Sequence, residues 1–190
     1  MYQKYQTDAL VLRSYERGEA DRVYALFTRE FGYVWARASA VRREISRQRY
    51  ALQTGSEAHV SLVRGNRGWR IAGASAEALL SPHKPERQAF MRMLQLLERL
   101  SASEESNLYL YETLSEARAT LSREGEALYP VIELVTVARM LFALGYLSQE
   151  ALGTALFAQT AFTTAGLTEA REQRQKLLVS VNKAISETQL

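Results

Sequence analysis

Five arginines, Arg37, Arg42, Arg43, Arg47 and Arg49, stand between positions 37 and 49, opposed only by Glu44. A second group, Arg64, Arg67 and Arg70, follows around a glycine- and asparagine-containing turn. The guanidinium is a flat, permanently charged fork that matches phosphate oxygens and stacks on rings. So dense a run repels itself unless an anion neutralises it, so the chemistry on offer is polyanion binding. Rings are interleaved with the charges. In Tyr33 to Ala40 (YVWARASA), strand alternation puts Val34, Ala36, Ala38 and Ala40 on one face and Tyr33, Trp35, Arg37 and Ser39 on the other. The small face must pack inward. The opposite face then presents two rings and an arginine in a row, the combination that stacks bases while holding phosphates. The alternative use of Trp35 is to pack beneath a loop or against the helical half. The candidate nucleic-acid-binding residues are therefore Arg37, Arg42, Arg43, Arg47, Arg49, Tyr33, Trp35, Arg64, Arg67 and Arg70.

Catalytic signatures are missing. There is no glycine-rich phosphate loop followed by Lys-Ser/Thr, no HExxH and no GxSxG. The two histidines, His59 and His83, lie far apart in the chain, and His59 alternates with Ala58 and Val60, so it should point outward into solvent. Glu16, Glu19 and Asp21 could hold a cation, but beside Arg17 and Arg22 they read as local salt bridges. The absence of cysteine excludes a disulfide framework, a thiolate zinc site, an iron–sulfur cluster and a cysteine nucleophile. The expectation is a binding protein without a cofactor, and not an enzyme.

The elements that must position these residues fall into two halves. Residues 1–73 hold 13 Lys and Arg against 7 Asp and Glu, whereas residues 74–190 hold 11 against 14, so the overall charge of +3 conceals a basic first half. That half alternates in short runs: Thr7 to Tyr15, Arg22 to Thr28, Tyr33 to Ala40, Glu57 to Val63 and Trp69 to Ala74. The last two are joined by Arg64-Gly65-Asn66-Arg67-Gly68, a strong hairpin signal. Five antiparallel strands in so short a segment predict a small closed barrel of the OB-fold type, because closure removes exposed edges. No helical period appears among these runs. The loop after the third strand and the hairpin would flank one groove.

After the proline-containing segment 81–85 the period changes to that of helices. Phe90, Met93, Leu94, Leu97 and Leu100 form one stripe, and Leu110, Leu114, Ala117 and Leu121 another. Leu128 to Leu144 is apolar on nearly all sides and predicts a central helix capped by Gly145. Thr168 to Thr188 predicts a surface helix with Leu177, Leu178, Val181 and Ile185 as its stripe. The fold class is thus α+β, with a barrel domain over 1–80 and an all-α helical bundle over 81–190. The N-terminus lacks the apolar core of a signal peptide, and Pro130, Glu133 and Arg139 interrupt the most apolar stretch, so a cytoplasmic protein with no membrane contact is expected.

The run from Asp8 to Gly65 resembles the N-terminal domain of the bacterial recombination mediator RecO family. The matching elements are Leu12-Arg13, Glu19 to Asp21, Leu26-Phe27-Thr28, Gly32, Arg42-Arg43 with Ser46, and Ala51-Leu52-Gln53. Ala138 to Tyr146 is similar to the family's apolar helix ending in Leu-Gly-Tyr. The resemblance implies a non-catalytic, nucleoid-associated protein of DNA repair and recombination. It would bind single-stranded and double-stranded DNA, anneal complementary strands and, with a RecR-like protein, assist recombinase loading. The C-terminal tail of single-stranded DNA-binding protein is a further implied partner. Arg37, Arg42, Arg43 and Arg47 match the family's DNA contacts, whereas the other candidates rest on the faces argued above. Two departures stand out: many members carry a cysteine zinc site that this chain cannot form, and Ala40 replaces the glycine that precedes the family's loop arginines. The same charges also admit an adaptor, whose basic barrel docks an acidic partner such as RecR or an acidic peptide tail.

Overall fold

The computed structural model describes residues 3–78, 84–100, 104–148 and 155–188. Five strands form, β1 (Lys4–Arg17), β2 (Asp21–Thr28), β3 (Gly32–Ala38), β4 (Glu57–Gly65) and β5 (Gly68–Ala78), with a short helix α1 (Gln48–Ala51) between β3 and β4. They close as β1-β2-β3-β5-β4, the strand order of an OB-fold. The closure corrects the all-antiparallel expectation: β3 meets β5 in parallel through Ala36, Arg37 and Ala38 against Trp69, Arg70 and Ile71. A sheet of five strands can close only if one junction joins strands that run the same way. α1 lies outside the five alternating runs, and at one turn it is too short to leave a period in the sequence.

β1 makes the closure possible by serving two neighbours. Its first half, Lys4 to Leu10, pairs with β4, and its second, Ala9 to Arg17, pairs with β2. A bulge at Leu12, between Val11 and Arg13, bends the strand and resets its alternation. Ala9 and Val11 point into the barrel core, yet Arg13 and Tyr15 align through Ala25 and Val23 with Trp35 and Arg37, whose side chains are exposed. Without the bulge, odd-numbered residues would keep to one face throughout. The core holds Tyr24, Leu26, Val34, Ala36, Ala38, Val60 and Leu62, with Trp69 packed edge-on against Tyr5 at 5.7 Å. The small face expected of β3 is therefore inside. Ala40 is the exception, since it lies beyond the strand in the following turn.

The chain divides into two compact units, residues 1–81 with 102–107, and residues 82–101 with 108–190. In the barrel unit, Gly32 occupies the β2–β3 turn at φ +62°, and a Cβ there would lie 2.2 Å from the Glu105 carbonyl oxygen. The turn thus demands glycine twice, for its left-handed backbone and for the close approach.

The helical unit contains α2 (Pro85–Leu100), α3 (Leu108–Arg123), α4 (Tyr129–Ala143), α5 (Thr164–Glu172) and α6 (Arg174–Glu187). α4 is central and packs against α2, α3, α5 and α6. Its end is the expected glycine cap: Gly145 adopts φ +80°, and the Tyr146 N–H donates to the Leu141 carbonyl at 2.8 Å. The expected single helix over 168–188 is two, broken at Gln173, whose ψ of 9° leaves the helical range. The stripe through Leu167, Ala170, Leu177, Val181 and Ala184 runs on across the break, so periodicity could not reveal it. Arg139, 2% exposed, holds the segment after α4 in place by donating to the carbonyls of Leu156, Thr160 and Ala161 at 2.6–3.1 Å, with Phe162 against its guanidinium. Burial pushes its pKa down from the ordinary value, yet three charge-assisted bonds keep it satisfied. Among the described residues, no helix is long and apolar enough to cross a membrane.

Replacing Gly32 by alanine should destabilise the barrel by roughly 2–3 kcal/mol through overpacking and backbone strain. A lowered urea midpoint would show it; an unchanged midpoint would contradict the packing described.

Candidate nucleic-acid interface

The outer wall of β1, β2 and β3 carries two aligned rows. Tyr15, Val23 and Arg37 form one, Arg13, Ala25 and Trp35 the other. Trp35 is 38% and Tyr15 51% exposed, their ring centroids 5.6 Å apart, and the Arg13 guanidinium lies 5.1 Å from the Trp35 ring centre. Tyr33 occupies the same wall, the face expected of it, but is only 7% exposed. Its ring meets Trp35 edge-on at 6.0 Å, so it buttresses the tryptophan and presents little surface of its own.

The parallel β3–β5 junction places Arg37 beside Arg70. With Arg67 in the β4–β5 turn and Arg17 at the end of β1, they line a groove of about 460 Å3, completed by Val63, Gly65, Asn66, Gly68 and Trp69. This is the region between the first and last hairpin turns where OB-folds receive oligonucleotides. The groove therefore differs from the one expected, because it joins the hairpin to β1 and β3 and not to the loop after β3. Arg64 does not line it; its guanidinium pairs with Glu104 at 3.3 Å and lies over the Trp69 ring.

The loop after β3 is positioned by one carboxylate. Asp21 accepts from the Ala40 N–H at 2.8 Å through one oxygen and from Arg37 through the other. The Ala40 hydrogen bond, then Arg37, hold its carboxyl below the ordinary carboxylate range, while desolvation acts the other way. Ala40 adopts φ +56°, the left-handed conformation a glycine would take without strain. Beyond it the Arg42 N–H donates to the Ala20 carbonyl at 3.0 Å, and the Arg42 side chain reaches Glu16 at 3.2 Å and the Gly18 carbonyl at 3.3 Å. Glu16 also pairs with Arg22 at 3.3 Å, so it and Asp21 work in local ion pairs, as the neighbouring arginines suggested.

Arg42 is thus partly structural. Arg43 and Arg47 are exposed and, among the described residues, form no ion pair; the same holds for Arg67 and Arg70 in the groove. Arg49 stacks on Tyr50, which is 55% exposed, with a hydrogen bond of 3.0 Å to its hydroxyl. Ile45 is 88% exposed within the turn closed by the Ser46 N–H on the Arg43 carbonyl. His59 faces solvent as expected and meets Asp8 at 2.8 Å, whereas His83 lies outside the described residues. Sequence reasoning missed Arg13, Tyr15 and Arg17, because the Leu12 bulge that turns them outward leaves no compositional trace. It also missed Tyr50, although its adjacency to Arg49 was a usable signal.

Residues 1–74 match the family described as recombination protein O N terminal. A protein named DNA repair protein RecO from Desulfitobacterium hafniense strain DCB-2 is 48% identical over 61 residues, covering 32% of this chain and 22% of that one. RecO proteins from Pelotomaculum thermopropionicum and Nocardioides sp. JS614 are 39% and 41% identical over the same length, covering 24% and 25% of their chains. The matched segment therefore spans about a quarter or less of these relatives.

Exchanging Ala40 for glycine should relieve the left-handed strain and raise stability by up to about 1 kcal/mol, read as a higher melting temperature. Because the Asp21 carboxyl titrates lower in the folded than in the unfolded state, its stabilisation is complete above the ordinary value of 3.8 and is lost as pH falls through the folded value. Asp21→Asn should flatten that acid limb in urea titrations at successive pH values; an unchanged limb would remove Asp21 from this role.

Proposed function

We propose that this chain, a RecO-family protein through its N-terminal barrel, acts in recombinational DNA repair by binding DNA strands along that barrel. The observation that carries the reading is the convergence of Arg17, Arg37, Arg67 and Arg70 on one groove, continuous along β3 with the exposed Trp35. Arginine supplies sequence-independent phosphate contacts and the ring supplies stacking that tolerates any base. A surface of this kind neutralises single or double strands and, by reducing repulsion between two complementary strands, favours their annealing. In this reading the protein does no covalent chemistry. It works with a RecR-like protein in placing recombinase on gapped DNA, where the tail of single-stranded DNA-binding protein is the further partner.

About five phosphate contacts to a single strand give a log–log salt slope of roughly −3.5. Replacing Arg43, Arg47, Arg67 and Arg70 by alanine should leave the fold intact, since none is in an ion pair among the described residues, and reduce the slope to roughly −0.7, the share of the one contact left. Trp35→Ala should cost about 1–3 kcal/mol of affinity with the slope kept. Trp69, the other tryptophan, is 6% exposed, so quenching of tryptophan emission on binding should report Trp35. Unchanged affinity of the four-arginine variant at low salt would overturn the reading.

Ile45 favours a second use of the loop. An isoleucine almost fully in water between Arg43 and Arg47 suits a partner that is both acidic and apolar. Under an adaptor role, Ile45→Ser loses capture of an acidic partner from nuclease-treated lysate while DNA affinity stays the same; equal capture would remove this reading.

A further inference from the structure

The arginine groove has more positive charge than one internal phosphodiester neutralises. Of its four guanidinium groups, Arg37 is neutralised by Asp21 and Arg17 stands opposite the same carboxylate across the β1–β2 ladder, whereas Arg67 and Arg70 form no ion pair among the described residues. The volume of about 460 Å3 lies in the lower part of the range for small-ligand pockets, which run from about 300 to 1,000 Å3, and suits a ligand of roughly nucleotide size. An internal phosphodiester brings one negative charge into such a space. A terminal phosphate monoester brings about −1.5 to −2 and three strong acceptor oxygens. The guanidinium groups of Arg67 and Arg70, held together by the β4–β5 turn and β5, repel one another, and the ligand that relieves most of this repulsion is the one of higher charge.

One further feature suits a compact anion. Gly65 and Gly68 leave their part of the wall as bare backbone, with no heavy atom closer than 4.0 Å to a Cβ built at either.

We propose that this groove receives a phosphate monoester, the phosphorylated end of a DNA strand, while the loop bearing Arg43 and Arg47 holds the strand's interior phosphates. The inference rests on the reading that the barrel binds DNA. It gives the two basic clusters different tasks: one recognises where a strand ends, and the other adds affinity without regard to position.

The experiment uses the full chain and three oligonucleotides of one sequence, carrying a 5′-phosphate, a 3′-phosphate, or hydroxyls at both ends, each followed by fluorescence anisotropy as a competitor of a labelled strand. One phosphorylated end should bind about tenfold more tightly than the hydroxyl form, the value of one additional charged hydrogen bond. Arg67→Ala with Arg70→Ala should abolish that preference, and Arg43→Ala with Arg47→Ala should weaken all three strands alike. Equal binding of all three would overturn the inference and leave DNA binding standing. Binding of none would overturn both. A free deoxynucleoside 5′-monophosphate that displaces the phosphorylated strand at equal concentration would assign the groove to nucleotides and overturn the strand-end assignment.

Discussion

The barrel depends on a single strand serving two neighbours. β1 pairs with β4 over its first half and with β2 over its second, and the bulge at Leu12 gives it the bend to do so. A straight β1 would leave an open sheet with two exposed edges. The same insertion changes the phase of alternation, so the residues after it project their arginines and tyrosine outward beside Trp35. Closure and the character of the outer wall are thus two results of one extra residue.

A second constraint acts at the other end of β3. The Asp21 carboxylate joins the start of β2 to Arg37 and to the Ala40 N–H, fixing the direction in which the arginine loop leaves the barrel. An alanine in the left-handed region is an unfavourable local choice, tolerated where the surroundings over-determine it. Arg42 adds to the same knot through Glu16 and Gly18. The loop's outer arginines, Arg43 and Arg47, are consequently presented from a fixed base. The helical unit secures the segment after α4 with the donors of one buried arginine, Arg139.

The five strands, the inward face of Val34, Ala36 and Ala38, the central α4 and its Gly145 cap were legible because each is set by local alternation, helical period or glycine conformation. The break at Gln173 was illegible because the apolar stripe crosses it unbroken. At the candidate site, Trp35 and Arg37 were legible from the face of one strand. Arg17 was not, because its membership in the groove depends on how β1 bends, and Arg64 was misplaced because its partner Glu104 is distant in sequence.

By itself the sequence determined the chemistry of this protein: a basic, ring-bearing first half suited to phosphates and bases, no thiol chemistry, and elements whose apolar periods dictate a barrel and a bundle. Those properties belong to residue types and to spacings of two to four positions. Only the tertiary structure decided which arginines act together. Arg37 and Arg70 become neighbours through a parallel junction of strands far apart in the chain, Arg17 joins them through a bulged strand, and Arg42 is withdrawn into an ion pair with Glu16. Charge can be counted along a chain, but the potential it creates depends on distances that exist only after the chain has folded.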